Sequence, residues 1–328
     1  MRNFKPFGRI AIFLVVLFAI NWTLNFFIYP YSYTRIDVHN ITSGQYDDLF
    51  LGSSHGKSAI NPITVDTITG RRSTNFCMGG EYPMDAYYIA KETARNHKPT
   101  RIIYELDPGY WATTTNEDTS YASVYNELPF SSIKIEYFFA KINDSDFRNT
   151  LFPWYMYRKD YKNFLENAKV KTSAAYKEYE REQFTSAYQA YQPEGFINIY
   201  HHDQPKSEDN LALWDETSLN KDSVKYFEKL VKFCADEQIE LIVITTPIPT
   251  ETLDKYASEF AAANDYFTAY MAKIGVPYWN FNNIDLPGFD TSIEGFSDYE
   301  GHMYGENAEI FSIILGHQLN TLTTATIG

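Results

Sequence analysis

Residues 10–29, IAIFLVVLFAINWTLNFFIY, form an apolar run of 20 residues without a charge, and no other stretch constrains the chain as much. Coiled as a helix it spans about 30 Å, the thickness of a bilayer's hydrocarbon core. Arg2, Lys5 and Arg9 precede it. Cations flanking a membrane helix stay on the cytoplasmic side, so everything C-terminal to the run is expected outside. Trp22, Tyr29 and Tyr31 fit an aromatic belt where the helix leaves the membrane. A cleaved signal peptide would have a shorter apolar core and a small-x-small site after it. The expectation is therefore an uncleaved single-pass anchor over residues 1–30, with its N-terminus cytoplasmic, and an extracytoplasmic domain over residues 31–328 of the cell membrane protein. Asn21 and Asn25 share one helix face, where they either bind a second transmembrane helix or meet water near the outer interface.

The exported part is long enough to bury a core of its own. The chain carries 42 acidic residues against 28 Lys and Arg, a formal charge of −14, so nucleic acid is excluded as a partner. The 27 Tyr and 24 Phe suit either sugar contacts or core packing. Cys77 and Cys234 have no metal-ligand spacing; they form either one disulfide or two buried thiols. The adjacent His201 and His202, with Asp203, point apart on an irregular segment, and no further ligand follows at metal spacing. No metal and no cofactor is expected.

Short apolar strands are expected at Asp48–Leu51, Ser73–Met78, Arg101–Leu106, Ile239–Thr245 and Pro277–Phe281. Between them lie helical patterns at residues 62–69, 84–96, 221–236 and 250–273, and one from Gly305 to about Leu319. The helix after Asn220 shows an apolar face of Val224, Phe227, Leu230, Val231 and Cys234. This alternation predicts an α/β fold, a doubly wound parallel sheet with helices on both faces. Ligands in such folds bind beyond the C-terminal strand ends, which places the turns Gly52–His55, Gly79–Gly80 and Asp107–Tyr110 on one rim. Residues 113–220 break the alternation and are expected as an inserted helical cap over that rim.

The turn Gly52-Ser53-Ser54-His55 follows a buried strand directly. A serine there projects its hydroxyl above the sheet, beside free backbone N–H groups. Its hydroxyl needs a base, commonly an imidazole held by a carboxylate. His302, in the loop FSDYEGHMYGENAEIFS, is the candidate, with Asp298 four residues before it. His55 adjoins the serine, but neighbours on one turn seldom meet with good geometry. Asp107-Pro108-Gly109-Tyr110 reads first as a tight turn.

Those residues carry a resemblance. FLGSSHGKSAINP, NFCMGG, RIIYELDP, LIVITTPIP and SDYEGHMYGENAEIFS, in that order, are similar to the successive blocks of the SGNH/GDSL hydrolase superfamily. More narrowly they resemble its DltD-like and alginate-O-acetylation-like exported branch. The likeness spans roughly residues 46–110 and 220–315 and leaves out the middle insertion. It implies a flavodoxin-like SGNH sheet, Ser54 as nucleophile, His302 as base and Asp298 as acid. Gly79 or Gly80 would match the oxyanion-hole glycine. Two positions depart from the pattern. The usual D-x-x-H spacing would put the acid at Tyr299, so Asp298 needs one extra loop residue, and Glu300 is the alternative. Glu105 and Asp107 stand where many relatives carry an oxyanion Asn, so the donors are expected to be the backbone amides of Ser54 and Gly79 or Gly80.

The resemblance implies serine-dependent acyl transfer or ester hydrolysis on a cell-surface glycopolymer. O-acylation beside a multi-pass membrane O-acyltransferase is the leading expectation. A non-catalytic scaffold that binds the glycopolymer or the acyltransferase, and a plain polysaccharide deacetylase, are its rivals.

Overall fold

The computed structural model describes residues 5–80, 82–113, 118–142 and 146–325. Arg2 lies outside them. Two compact units divide the chain: residues 36–121 with 181–328, and residues 1–35 with 122–180.

Among the described residues, the first unit is built on seven strands: β1 (Asp48–Leu51), β2 (Ser73–Asn75), β3 (Arg101–Glu105), β4 (Gln189–Tyr191), β5 (Ile197–Ile199), β6 (Glu240–Thr245) and β7 (Tyr278–Asn280). Five of them form one sheet in the order β2-β1-β3-β6-β7, and every pairing in it is parallel. The fold is thus the doubly wound α/β class that the sequence predicts, and the strand order is the flavodoxin-like one. The order reverses between β1 and β3, so their C-terminal ends flank the switch point where such sheets bind ligands.

Both faces of the sheet are covered, as a parallel sheet requires. Phe50, Ile103, Ile242 and Ile244 share a buried core with Ile60, Val65, Phe281, Phe296, Phe311 and Leu315. The last two belong to the closing helix Gly305–Ala325, which packs on the helix Pro62–Thr69. Neighbouring strand residues face the other way. Tyr104 accordingly meets Phe227, whose helix Lys221–Glu237 packs on the helix Pro83–Asn96. The side chain of Asn220 caps that helix, accepting the N–H of Asp222 at 2.9 Å.

Several elements depart from the sequence expectation. The helix over 250–273 is two helices, Thr250–Lys255 and Ala257–Ile274, broken at Tyr256. The strand after Ser73 ends at Asn75, although Phe76 and Met78 still donate to the β1 strand and its turn, to Phe50 O and Gly52 O. The stretch 113–220 is not one helical body. Where described, residues 122–180 hold helices joined by short turns and belong to the second unit, whereas residues 181–220 belong to the sheet unit and contain the antiparallel hairpin β4–β5. Two strands of three residues are too short to print a period-two pattern. Cys77 and Cys234 are both buried free thiols.

The second unit contains the helix Lys5–Ile28, of which Phe7–Ile28 is apolar enough to cross a membrane. Such a helix serves equally as an anchor or as a signal sequence. Its two asparagines accept hydrogen bonds inside the unit. Asn25 Oδ1 accepts the backbone N–H of Trp154 at 2.9 Å, and Asn21 Oδ1 accepts the Trp154 indole N–H at 3.0 Å.

Candidate active site

Gly52 follows β1 with φ +142°, a conformation open to glycine. A Cβ there would lie 2.5 Å from the Glu105 carbonyl oxygen. This close approach to β3 lets the chain turn at once into the helix Ser54–Ala59. Ser53 is its N-cap: the hydroxyl accepts the His55 N–H at 3.1 Å, and the Ser53 N–H donates to Glu105 Oε2 at 2.7 Å. The far end of the helix is held by Asn75, whose carboxamide donates to the carbonyls of Gly56 and Ile60. From below, the buried Lys57 ammonium donates to both oxygens of the buried Asp37, at 3.0 and 2.9 Å, and to Asn75 O. Tyr191 donates to the same carboxylate at 2.6 Å. Ser54 therefore stands on a helix fixed at its cap, its end and its underside.

His302 reaches it from the opposite end of the sequence. Its Nε2 lies 2.8 Å from Ser54 Oγ, and its Nδ1 lies 2.7 Å from Asp298 Oδ2. The other oxygen, Asp298 Oδ1, accepts three backbone N–H groups, from Glu300, Gly301 and His302, at 3.0, 3.0 and 3.1 Å. Gly301, with φ +120°, closes this loop against Ile248. The four-residue step from Asp298 to His302 is thus accommodated by one left-handed glycine. Glu300 is turned elsewhere: its Oε1 accepts the Asn210 N–H at 2.8 Å. Between the two acids that the sequence left open, Asp298 is the one on the imidazole.

The charges follow from this geometry. Burial opposes the ionised form of Asp298, but the hydrogen bond and charge of His302 outweigh it and bring the carboxyl down to about 2. Burial likewise presses on the His302 imidazolium, and the Asp298 hydrogen bond and charge reverse the effect, raising His302 above the ordinary imidazole value. The serine thus faces an imidazole made more basic by its carboxylate.

Gly79 adjoins the serine; a Cβ there would touch only Ser54 Cβ, at 3.9 Å. Gly80 takes the left-handed φ of +69°. Among the described residues, the N–H groups of Ser54 and Gly79 have no acceptor within the chain. Both lie at the mouth of the turn that carries the hydroxyl. Glu105, at the C-terminal end of β3, is buried with Oε1 lacking a hydrogen-bond partner. Burial, then the charge of Asp107, push it to about 7 against the pull of the Ser53 and Gly56 amides.

A second imidazole–carboxylate contact lies alongside, which the sequence did not signal. His55 Nδ1 sits 3.5 Å from Asp107 Oδ2, and the His55 and His302 rings meet edge to face at 4.8 Å. Burial and the neighbouring His302 lower His55 to about 3, so it is a neutral ring near neutrality. Asp107 also caps its own turn, accepting the Gly109 N–H at 2.9 Å. His55 makes no hydrogen bond to Ser54.

A cavity of about 330 Å³ opens beside His302. Leu253, Ala257 and Phe260 line one part of it, and Asn264, Asn280 and Asn283 another. The Asn264 carboxamide oxygen accepts from both Asn280 and Asn283, at 3.1 and 2.8 Å, so these amides are fixed in place. Of the stretch expected as a cap, Asn210–Ala212 line this cavity. Nothing in the sequence marked it, because its wall is assembled from separate helices and strand ends.

The oxygens and nitrogen of Asp298, Glu300 and His302 lie within 4.8 Å of one another, a spacing a metal ion would also accept. They are already committed, however: Asp298 to three amides and the imidazole, Glu300 to Asn210. His201 stacks on Tyr304 at 3.9 Å and His202 meets the same ring edge on at 6.1 Å, with His202 Nδ1 accepting the Gln204 N–H, so both imidazoles are held by ring packing.

The site and the fold together define an α/β protein with a Ser–His–Asp constellation at the switch point of a parallel sheet. No protein-family model and no curated protein matches the chain. Among solved structures, the chain is similar to a provisionally named acylhydrolase from Bacteroides fragilis NCTC 9343, at 12% identity and a TM-score of 0.39, over 88% of this chain and 95% of that one.

Proposed function

We propose that the protein is a membrane-anchored serine acyltransferase or esterase of the SGNH type. The observation that carries this reading is the unbroken relay from Ser54 Oγ through His302 to Asp298, at 2.8 and 2.7 Å. Ser54 Oγ attacks the carbonyl carbon of an acyl donor while its proton passes to His302 Nε2. The oxyanion is held by the Ser54 and Gly79 amides. The leaving group departs with the proton from His302, and the acyl group stays on Ser54. A sugar or polyol hydroxyl, or water, then gives its proton to His302 and takes the acyl group, and His302 returns that proton to Ser54 Oγ as the ester bond to the serine breaks. Asp298 keeps the imidazole in one tautomer and stabilises its charged form. With its carboxyl raised to about 7, Glu105 is about half protonated near neutrality, and so places less than a full negative charge beside the oxyanion. The apolar wall of Leu253, Ala257 and Phe260 suits the acyl chain, and the fixed carboxamides suit hydroxyl groups.

The helix Lys5–Ile28 supports an anchor that keeps this site at the outer membrane face, where the acceptor is a cell-surface glycopolymer. A multi-pass membrane O-acyltransferase is the partner that would supply acyl groups across the bilayer, and tethering raises its local concentration. The test is Ser54→Ala, assayed for turnover of a model ester and for O-acylation of the surface polymer. Both activities disappear on this account. Survival of both would leave a scaffold that binds polymer or partner. Hydrolysis that persists in the presence of a sugar acceptor, with no transfer, would make the protein a deacylating esterase.

A further inference from the structure

The N-terminal helix is bare over only part of its length. Every residue from Phe7 to Ile20 is exposed, whereas Asn21 and Leu24–Ile28 are partly covered. What covers them is the segment 153–172 of the same unit. Trp154 donates from its backbone to Asn25 and from its indole to Asn21, at 2.9 and 3.0 Å. Asn167 donates to the carbonyls of Phe27 and Ile28, both at 3.1 Å, and Lys171 to that of Asn25 at 2.6 Å. Phe164 meets Phe27 edge on.

The bare part, Phe7–Ile20, is about 21 Å long at the helical rise, well short of the roughly 30 Å of a hydrocarbon core. A bilayer of full thickness around this helix extends to Asn21–Ile28, and so meets the segment seated there. That segment is made for an interface. Phe147, Leu151, Tyr161 and Leu165 are 48%, 49%, 57% and 68% exposed, which is costly in water. Residues 147–172 hold six Lys and Arg against two Asp and Glu, in a chain whose formal charge is −14. Arg158, Lys159, Lys162 and Lys169 are exposed.

We infer that residues 147–172 form a collar lying in the headgroup layer of an anionic phospholipid bilayer, around the outgoing end of the anchor. The inference rests on the anchor reading. The apolar side chains enter the acyl boundary, the cations hold lipid phosphates, and Trp154 fixes the collar's depth on the helix.

The full chain, reconstituted in phosphatidylcholine vesicles with or without phosphatidylglycerol, tests it. An environment-sensitive dye is placed on Leu165→Cys or, separately, on Ile12→Cys; Cys77 and Cys234 are buried and leave the label to the new thiol. Nitroxide-bearing lipids then quench by depth. The dye at position 12 is quenched by deep acyl-chain nitroxides. The dye at position 165 is quenched by headgroup and shallow nitroxides, more strongly with phosphatidylglycerol, and that gain is lost in Lys159→Glu/Lys162→Glu. Quenching at 12 with none at 165 overturns the collar and leaves the anchor standing. Quenching at neither site overturns the anchor reading and the collar with it. Quenching at 165 that ignores both phosphatidylglycerol and the charge reversal overturns the role of anionic lipid.

Discussion

Asp298 grips His302 with both oxygens of its carboxylate, Oδ2 on the ring Nδ1 at 2.7 Å and Oδ1 on the backbone N–H of the same residue at 3.1 Å. Ring orientation and loop conformation are thereby set by a single side chain. Asp298→Asn keeps the shape, removes the charge and presents the wrong tautomer. It should lower kcat by about three to four orders of magnitude. Glu300→Gln, which touches Asn210 and not the imidazole, should cost less than about tenfold.

The same contact sets a pH dependence. The base works when neutral, so activity is lost as pH falls through the His302 pKa. Asp298 raises that pKa, and the acid limb of kcat/KM in the native protein lies above the ordinary imidazole range. In the residual activity of Asp298→Asn the limb should move to lower pH. An unmoved limb would show that another group is being titrated.

Glu105 predicts a stability profile. Its carboxyl is raised from 4.5 to about 7 in the fold, chiefly by burial, so the unfolded chain binds fewer protons there between those values. Its contribution is fully present below pH 4.5 and is lost as pH rises through about 7. Glu105→Gln removes the titration. Its stability relative to the native chain should therefore improve by about 2–3 kcal/mol between mildly acidic and mildly alkaline buffer. Urea unfolding at the two pH values measures it.

The Lys57–Asp37 pair beneath the serine helix should be a strong stability site. Lys57→Met leaves a buried carboxylate with Tyr191 as its remaining side-chain donor, and should cost about 3–5 kcal/mol. Adding Asp37→Leu should recover much of that loss, because the orphaned charge goes with it. Denaturant titrations of the two variants make the comparison.

The cavity beside His302 should govern acyl length. Ala257→Trp narrows it next to Leu253 and Phe260. It should raise KM for long-chain esters by at least about tenfold and leave acetyl esters little changed. Equal effects on both would place the acyl chain elsewhere.

Much of this was legible in the sequence, because parallel strands are buried on both faces and read as apolar runs. Asp48–Leu51, Arg101–Glu105 and Glu240–Thr245 all stood out for that reason. Ser54, Asp298 and His302 were legible because strand-to-turn serines and Gly-flanked histidines leave local marks. The rest depends on tertiary contact. The His55–Asp107 approach, the buried Lys57 and the carboxamide wall of the cavity join residues from separate elements, with no spacing to betray them. The β4–β5 hairpin was hidden by strands of three residues. The partners of Asn21 and Asn25 were hidden because Trp154 lies more than a hundred residues downstream.

The proposed chemistry stands or falls with the Ser54 hydroxyl as nucleophile. A fluorophosphonate, which reacts with activated serines, applied to the full chain and followed by peptide mass mapping tests it most directly. The prediction is one adduct, on Ser54, absent in Ser54→Ala and formed far more slowly in His302→Ala. An adduct on a different residue, or undiminished labelling after either substitution, would contradict it.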